Sequence, residues 1–277
     1  MISALELRTR SPIVDGLFYP EDEAGVLSCM QKIALKPGKG GIAKALIAPH
    51  GAWEISGILA GAAFAAAAGR TARYYPERVV VLGPIHEHYE EGIFLTNSHS
   101  FQTPLGEIPV DQEGCEWLAS YSPLIRVNDI PHLKEHSIEV LLPFVKYCFP
   151  DSAIVPILMR GERKQHIRVL ANALRAAFMP EMENTLLIVS CNIAAHSGKT
   201  GAAKARNCMR LLGEGNHEML CNALNEGQIN GCGWPLILSL LQSGLVDGDY
   251  LYPASDILLS ARGDDKKTVY YGAFAFE

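Results

Sequence analysis

His50 and His86 each follow a short apolar run that closes on a proline. Ala45-Leu46-Ile47-Ala48 leads into Pro49-His50, and Val79-Val80-Val81-Leu82 leads into Gly83-Pro84-Ile85-His86. Unbroken apolar runs of this length between turn formers read as strands buried on both faces, as in the middle of a parallel sheet. Each proline lacks the N–H needed to continue a ladder, so the chain turns there. In open α/β sheets, ligands bind outside the carboxyl ends of the strands. Two imidazoles delivered to that edge are placed to converge on one point, and imidazole is both a metal ligand and a proton carrier. His88 lies two residues beyond His86. If the chain stays extended the two share a face, and a His86-x-His88 pair would suit a hydrolytic zinc ion. That chemistry lacks a general base, because no Asp or Glu stands at a comparable strand end.

Other residue types narrow the field. Cys232 stands between Gly231 and Gly233, an arrangement that lets backbone approach a centre closely. The competing reading is a small buried thiol. His136 falls in Glu135-His136-Ser137-Ile138-Glu139, the polar opening of a helix expected to run to about Cys148, with Glu135 favoured by the helix dipole. His99, His132, His166 and His217 lack supporting context and are expected at the surface, as is His88 if it is no ligand.

The elements that must hold these residues alternate. Strands are expected over Lys44–Ala48, Arg78–Leu82, Ile93–Thr96, Ala153–Leu158, Thr185–Ser190, Tyr250–Tyr252 and Val269–Phe276. Helices are expected around Ala24–Leu35, Ser56–Gly69, Gln112–Ser120, Arg163–Phe178 and Leu236–Ser243, with Ala203–Leu224 broken near Gly213–Gly215. This is the pattern of βαβ units around a mostly parallel sheet. No internal repeat or long linker interrupts it, so one domain over residues 1–277 is expected.

Composition excludes several classes. Hydrophobic residues make up 48% and charged residues 19% of the 277, the balance of a packed globule rather than a disordered chain. The net charge is −6 and no Lys/Arg cluster stands out, so nucleic acid has no electrostatic footprint here. The seven cysteines form no CxxC pair, which fits a reducing compartment better than a disulfide framework. The first residues lack a signal-peptide layout. The alanine-rich stretch from Gly57 to Gly69 is too short to span a bilayer. A cytoplasmic location with no membrane attachment is the expectation.

Taken in order, the punctuated segments resemble the Memo family, also known as AmmeMemoRadiSam system protein B. The segments are Gly16-Leu17-Phe18-Tyr19-Pro20, Ile47-Ala48-Pro49-His50-Gly51, Leu82-Gly83-Pro84-Ile85-His86 and Thr103-Pro104-Leu105-Gly106. They continue with Val110-Asp111, Glu135-His136-Ser137-Ile138-Glu139-Val140, Leu142-Pro143-Phe144 and Cys232-Gly233 with Pro235 nearby. The resemblance implies an α/β three-layer sandwich around a central, mostly parallel or mixed sheet, like that of class III extradiol dioxygenases. Those enzymes hold a non-haem iron with two His and one Glu. The Memo family resembles a variant in which Cys replaces the carboxylate, which transfers to His50, His86 and Cys232 as metal ligands. Two imidazoles and a thiolate would suit Fe(II) or Cu, with Zn(II) as the alternative and a metal-free site as the remaining case. The resemblance also implies a small-molecule or peptide ligand, and radical SAM and AMMECR-type proteins as partners.

The chain departs from the family after the strand at Thr185–Ser190. A Ser-Asp-Phe-x-His-like pattern is replaced by Ser190-Cys191-Asn192-Ile193-Ala194-Ala195-His196. Asn192 stands for the family Asp, and the family His falls on Ala195 unless a one-residue insertion brings in His196. An amide cannot serve as a base near neutral pH. Three readings follow. The first is a metal-dependent oxidoreductase with His196 or His136 handling protons beside Asn192. The second is a non-catalytic module that uses the cleft for a peptide or partner. The third is the zinc hydrolase of His86 and His88.

Overall fold

Four of the apolar runs become neighbouring parallel strands, because only mutual pairing satisfies backbone groups that have no access to water. The computed structural model describes residues 8–33, 35, 41–69, 75–196, 200–214, 216–229, 231–262 and 267–277. Along the chain come β1 (Thr9–Arg10), α1 (Glu23–Lys32), β2 (Ala45–Ala48), α2 (Trp53–Ala67), β3 (Arg78–Pro84) and β4 (Gly92–Leu95). Next are β5 (Ser100–Thr103), β6 (Gly106–Pro109), α3 (Gln112–Tyr121), β7 (Ile125–Val127), α4 (Asp129–His132), α5 (Leu142–Cys148) and β8 (Ala153–Arg160). The remainder is α6 (Lys164–Phe178), β9 (Thr185–Ser190), β10 (Ala194–His196), α7 (Gly201–Glu214), α8 (His217–Asn225), α9 (Trp234–Ser243), β11 (Leu251–Arg262) and β12 (Thr268–Phe276).

The main sheet runs β10-β12-β2-β9-β3-β8-β4-β7, with β11 along the other side of β12. Its centre, β2-β9-β3-β8, is parallel. The flanking pairs β12/β2 and β4/β8 are antiparallel. A small sheet of β1, β5 and β6 stands apart. The crossover from β2 to β3 travels across the sheet in one direction, and that from β8 to β9 travels in the other. Right-handed connections therefore place α2 and α6 on opposite faces, giving the three-layer α/β sandwich. A continuous cluster of buried apolar side chains runs from Tyr19 to Phe276. The small residues of α2 allow close approach: a methyl added at Gly61 would stand 2.1 Å from Ile33 Cγ2. Among the described residues no helix is long and apolar enough to cross a membrane.

Two expectations need correction. The segment 135–148 is not one helix. Residues 135–138 form a turn, Glu139–Leu141 a single 3-10 turn, and only then does α5 begin. The Glu135 carboxylate accepts the N–H groups of His136 and Ser137, which holds the turn in place. Pro143 then starts a new helix at a position where its missing N–H costs nothing. His132 and His166 are buried rather than superficial. His132 Nε2 lies 3.1 Å from the Phe94 carbonyl, and burial lowers its pKa to about 4.

The polar clamp behind the turn is more consequential. Arg10 and Glu139 form a fully buried ion pair. Glu139 Oε1 also accepts from Ile13 N, Val14 N and the Tyr19 hydroxyl, each at 2.9 Å. Arg10 in turn donates to the His132 carbonyl at 2.9 Å and the Glu135 carbonyl at 3.1 Å. The clamp fastens the chain around residues 10–19 to the backbone that carries Glu135. Removing one partner strands the other charge without water. Glu139→Ala is expected to lose about 3 to 5 kcal/mol of unfolding free energy, read as a lower midpoint in urea denaturation; a loss below roughly 1 kcal/mol, the value of a surface pair, would contradict this account.

Candidate metal centre

The register of the central strands decides which residues meet. Ala48 of β2 pairs with Ser190 of β9, and Leu82 of β3 pairs with Val189. The three strands therefore end level, and His50, Ser190 and His86 emerge side by side. The His50 and His86 ring centroids are 5.1 Å apart. One ligand atom each from His50, His86 and Cys232 falls within 4.8 Å of the other two.

Hydrogen bonds fix the tautomers. Ser190 Oγ donates its single proton to the Ser137 carbonyl at 2.6 Å. It lies 2.6 Å from His50 Nδ1, so it must accept there. His50 thus carries its proton on Nδ1 and turns Nε2 toward Cys232 Sγ, 3.3 Å away. His86 Nδ1 meets Glu135 Oε1 at 3.0 Å, which likewise leaves Nε2 facing inward. Such outer partners orient metal-binding imidazoles and raise their basicity.

Glu135 does more than hold one ring. Its carboxylate also accepts from His86 N at 2.6 Å, His136 N at 2.9 Å and Ser137 N at 2.8 Å. Burial alone would raise its pKa. The bond and charge of His86, with help from His136, outweigh burial and bring it to about 2.

Cys232 reaches the cluster because its neighbours have no side chains. A Cβ on Gly231 would stand 2.1 Å from the Asn192 carbonyl oxygen, and one on Gly233 would stand 2.6 Å from that of Ser190. The Cys232 N–H donates to the Asn192 carbonyl at 3.2 Å, and its sulfur accepts from Asn192 N at 3.3 Å. Cys232 as a residue is exposed, with its sulfur partly covered by the contact with His50. A hydrogen bond from Cys191 and the proximity of His50 and His86 hold Cys232 well below the ordinary thiol range despite its crowded surroundings. Burial would lower His86, but its bonds to Cys232 and Glu135 raise it to about 10.

Comparison with known proteins follows this geometry. The family model described as Memo-like protein matches residues 10–248. The chain belongs to the Memo family. A MEMO1 family protein of Thermotoga neapolitana is 30% identical over 248 residues, spanning 85% of this chain and 88% of its own length. One from Nitrosopumilus maritimus is 27% identical over 96% of this chain and 99% of itself. One from Methanobrevibacter smithii is 30% identical over 84% and 87%. A crystal structure of an uncharacterized Escherichia coli K12 protein, JW3007, aligns at 14% identity over 84% of this chain and 99% of that chain, with a TM-score of 0.49.

In this Memo chain His136 joins the imidazole cluster. Its ring stacks on His86 at 5.1 Å and 19°, with His50 at 5.8 Å and Phe18 at 4.9 Å. Burial, against the pull of Glu135, lowers its pKa to about 4, so it is neutral near pH 7. Asn192 sits under His50, accepting its N–H at 3.1 Å through Oδ1. His196 is not brought to the cluster. It pairs with Thr268 at the sheet margin and faces Tyr270 at 6.5 Å, whereas Tyr271, one residue on and on the opposite face, leans over Gly51. His88 is exposed and lies in neither three-residue cluster of metal-type ligands found among the described residues. The extended backbone ends at Pro84, so the alternation that would have aligned His88 with His86 is lost. Sequence reasoning missed Glu135 and Ser190 as the orienting partners. The signal available was a Glu directly before a His in a polar turn.

The pKa shifts set a pH window. Glu135 stabilises the fold above its ordinary 4.5, and that stabilisation is lost as pH falls toward 2. His86 stabilises it below its ordinary 6.5, and that stabilisation is lost as pH rises toward 10. In chelator-treated protein, the gap in melting temperature between wild type and Glu135→Gln should be widest at pH 4.5–6.5 and close toward pH 2 and pH 10. A gap that is flat across this range would contradict the pairing.

Proposed function

We propose that this Memo-family chain holds one metal ion between His50 Nε2, His86 Nε2 and Cys232 Sγ and acts as a metal-dependent oxidoreductase on a small molecule. The observation that carries the reading is the convergence of ligand atoms from two hydrogen-bonded, oriented imidazoles and one cysteine within 4.8 Å of one another. Two neutral nitrogens and one soft anion fit Cu or Fe(II), and three protein ligands leave coordination positions open. Such an ion would supply redox chemistry and polarise a bound substrate. Binding requires a thiolate and an unprotonated nitrogen on each imidazole, so affinity falls as pH drops.

The chain's own residues supply the surroundings. A cavity of about 360 Å³ adjoins Cys232, lined by Pro84, Ile85, Met159, Arg160, Pro235 and Leu236. That size suits a small ligand. His136, neutral and stacked on His86, is the proton carrier nearest the ligands. Asn192 positions His50 through its backbone and takes no proton. That last observation favours a second reading, a non-catalytic module with the same cleft, since the family's carboxylate is absent at that position.

Elemental analysis of protein purified without added metal, followed by anaerobic titration with Cu(I), Fe(II) and Zn(II), separates these readings. Wild type and His88→Ala should bind one ion per chain. His50→Ala and Cys232→Ser should bind at least about tenfold more weakly, and Glu135→Gln roughly 10- to 100-fold more weakly. Failure of every preparation to bind any of the three ions would leave the binding module. Loss on His88→Ala with retention on Cys232→Ser would restore the zinc hydrolase.

A further inference from the structure

The cluster contains a second sulfur that the metal reading does not use. Cys191 follows β9 directly, and its backbone N–H donates to the Ala48 carbonyl at 2.9 Å, which ties it to the end of β2. Its side chain turns toward the Cys232 loop. A Cβ on Gly233 would stand 2.8 Å from Cys191 Cβ and 3.1 Å from its sulfur. Glycine at 233 therefore leaves the Cys191 thiol room beside Cys232. Both thiols converge on the Asn192 carbonyl oxygen, at 3.4 Å from Cys191 Sγ and 3.8 Å from Cys232 Sγ.

The pair is asymmetric in access. Cys191 is 1% exposed, while Cys232 is open to solvent. A dissolved reagent meets Cys232 first, and Cys191 waits behind it. Cys232 Sγ accepts from Asn192 N at 3.3 Å, and a thiolate is the form of cysteine that attacks peroxides. Of the other cysteines, Cys29, Cys115, Cys148 and Cys221 lie on α1, α3, α5 and α8, while Cys208 of α7 donates to the Gln228 carbonyl at 3.3 Å.

We propose that Cys191 and Cys232 form a hydroperoxide-reactive dithiol, in which Cys232 is the attacking sulfur and Cys191 resolves it to an intramolecular disulfide. In the first step the Cys232 thiolate attacks the distal peroxide oxygen. The S–O bond forms as the O–O bond breaks, and the departing alkoxide or hydroxide takes up the proton that Cys232 released on ionising, giving alcohol or water and a sulfenic acid. In the second step Cys191 sulfur attacks Cys232 sulfur. The S–S bond forms as the S–O bond breaks, and hydroxide departs as water with the Cys191 proton. Two thiols are oxidised by two electrons and one peroxide is reduced. The disulfide occupies the Cys232 sulfur, so the oxidised chain loses its anionic donor to the two imidazoles.

The test uses reduced, chelator-treated full-length protein under argon, so it stands apart from whether any metal binds. Stoichiometric hydrogen peroxide should remove two hydrogens from the intact mass and two thiols from alkylation, with peptide mapping linking Cys191 to Cys232 and dithiothreitol reversing both. Cys191→Ala should instead add oxygen at Cys232 with no crosslink, and Cys232→Ser should stay unmodified. Stable oxygenation of wild-type Cys232 without a crosslink, or a crosslink between other cysteines, overturns the proposal. Should Cys191→Ala fail to fold, the wild-type peptide map decides alone.

Discussion

Glu135 carries its negative charge where almost no water reaches it, and four N–H donors make that tenable. An unpaired buried carboxylate would neutralise itself; this one is held ionised, so it accepts from every donor in reach. The cost of breaking the arrangement is what gives it structural authority. It orients the His86 ring, fixes the turn that carries His136, and places the Ser137 carbonyl where Ser190 finds it. From Ser190 the chain of donors passes to His50. The tautomers of both candidate ligands thus descend from one charge. The buried pair of Arg10 and Glu139 supports it from behind, through the Glu135 carbonyl.

The frame of this site was legible because it is written in local signals. Apolar runs ended by proline gave β2 and β3, and the exits of those strands gave His50 and His86. The alternation of strands and helices gave the layers. What the sequence did not disclose depends on pairing across the chain. Glu135 is 49 residues from His86, and nothing in its neighbourhood says that its carboxylate bends back onto its own following amides. The same contact ended the expected helix at 135–148, since a side chain that captures its own backbone N–H groups competes with helical bonding. His132 and His166 looked superficial because a lone polar residue has no periodicity to betray burial. His196 sits beyond the cluster because β10 carries it along the margin of β12, a pairing formed by residues 72 or more positions further on.

Cysteine 232 illustrates a different limit. Its flanking glycines signalled close approach, and close approach is what the backbone contacts with Asn192 and Ser190 require. The partner in that approach, the exit of β9, could not be named from the loop itself. The resemblance to the Memo family suggested the grouping with the histidines, and the geometry places the three side chains near enough for that grouping to be stereochemically feasible.

β9 lies between the strands that deliver the two imidazoles and donates no ligand of its own. Its offset against β2 is nonetheless part of the chemistry. Sliding it by one position would reverse which side chains face His50, exchanging a hydroxyl for a valine or a thiol and removing the acceptor that keeps the ring proton on Nδ1. Parallel pairing over four residues, Ala45 to Ala48 against Leu187 to Ser190, therefore works as a ruler whose zero mark sets the protonation pattern at the sheet's mouth.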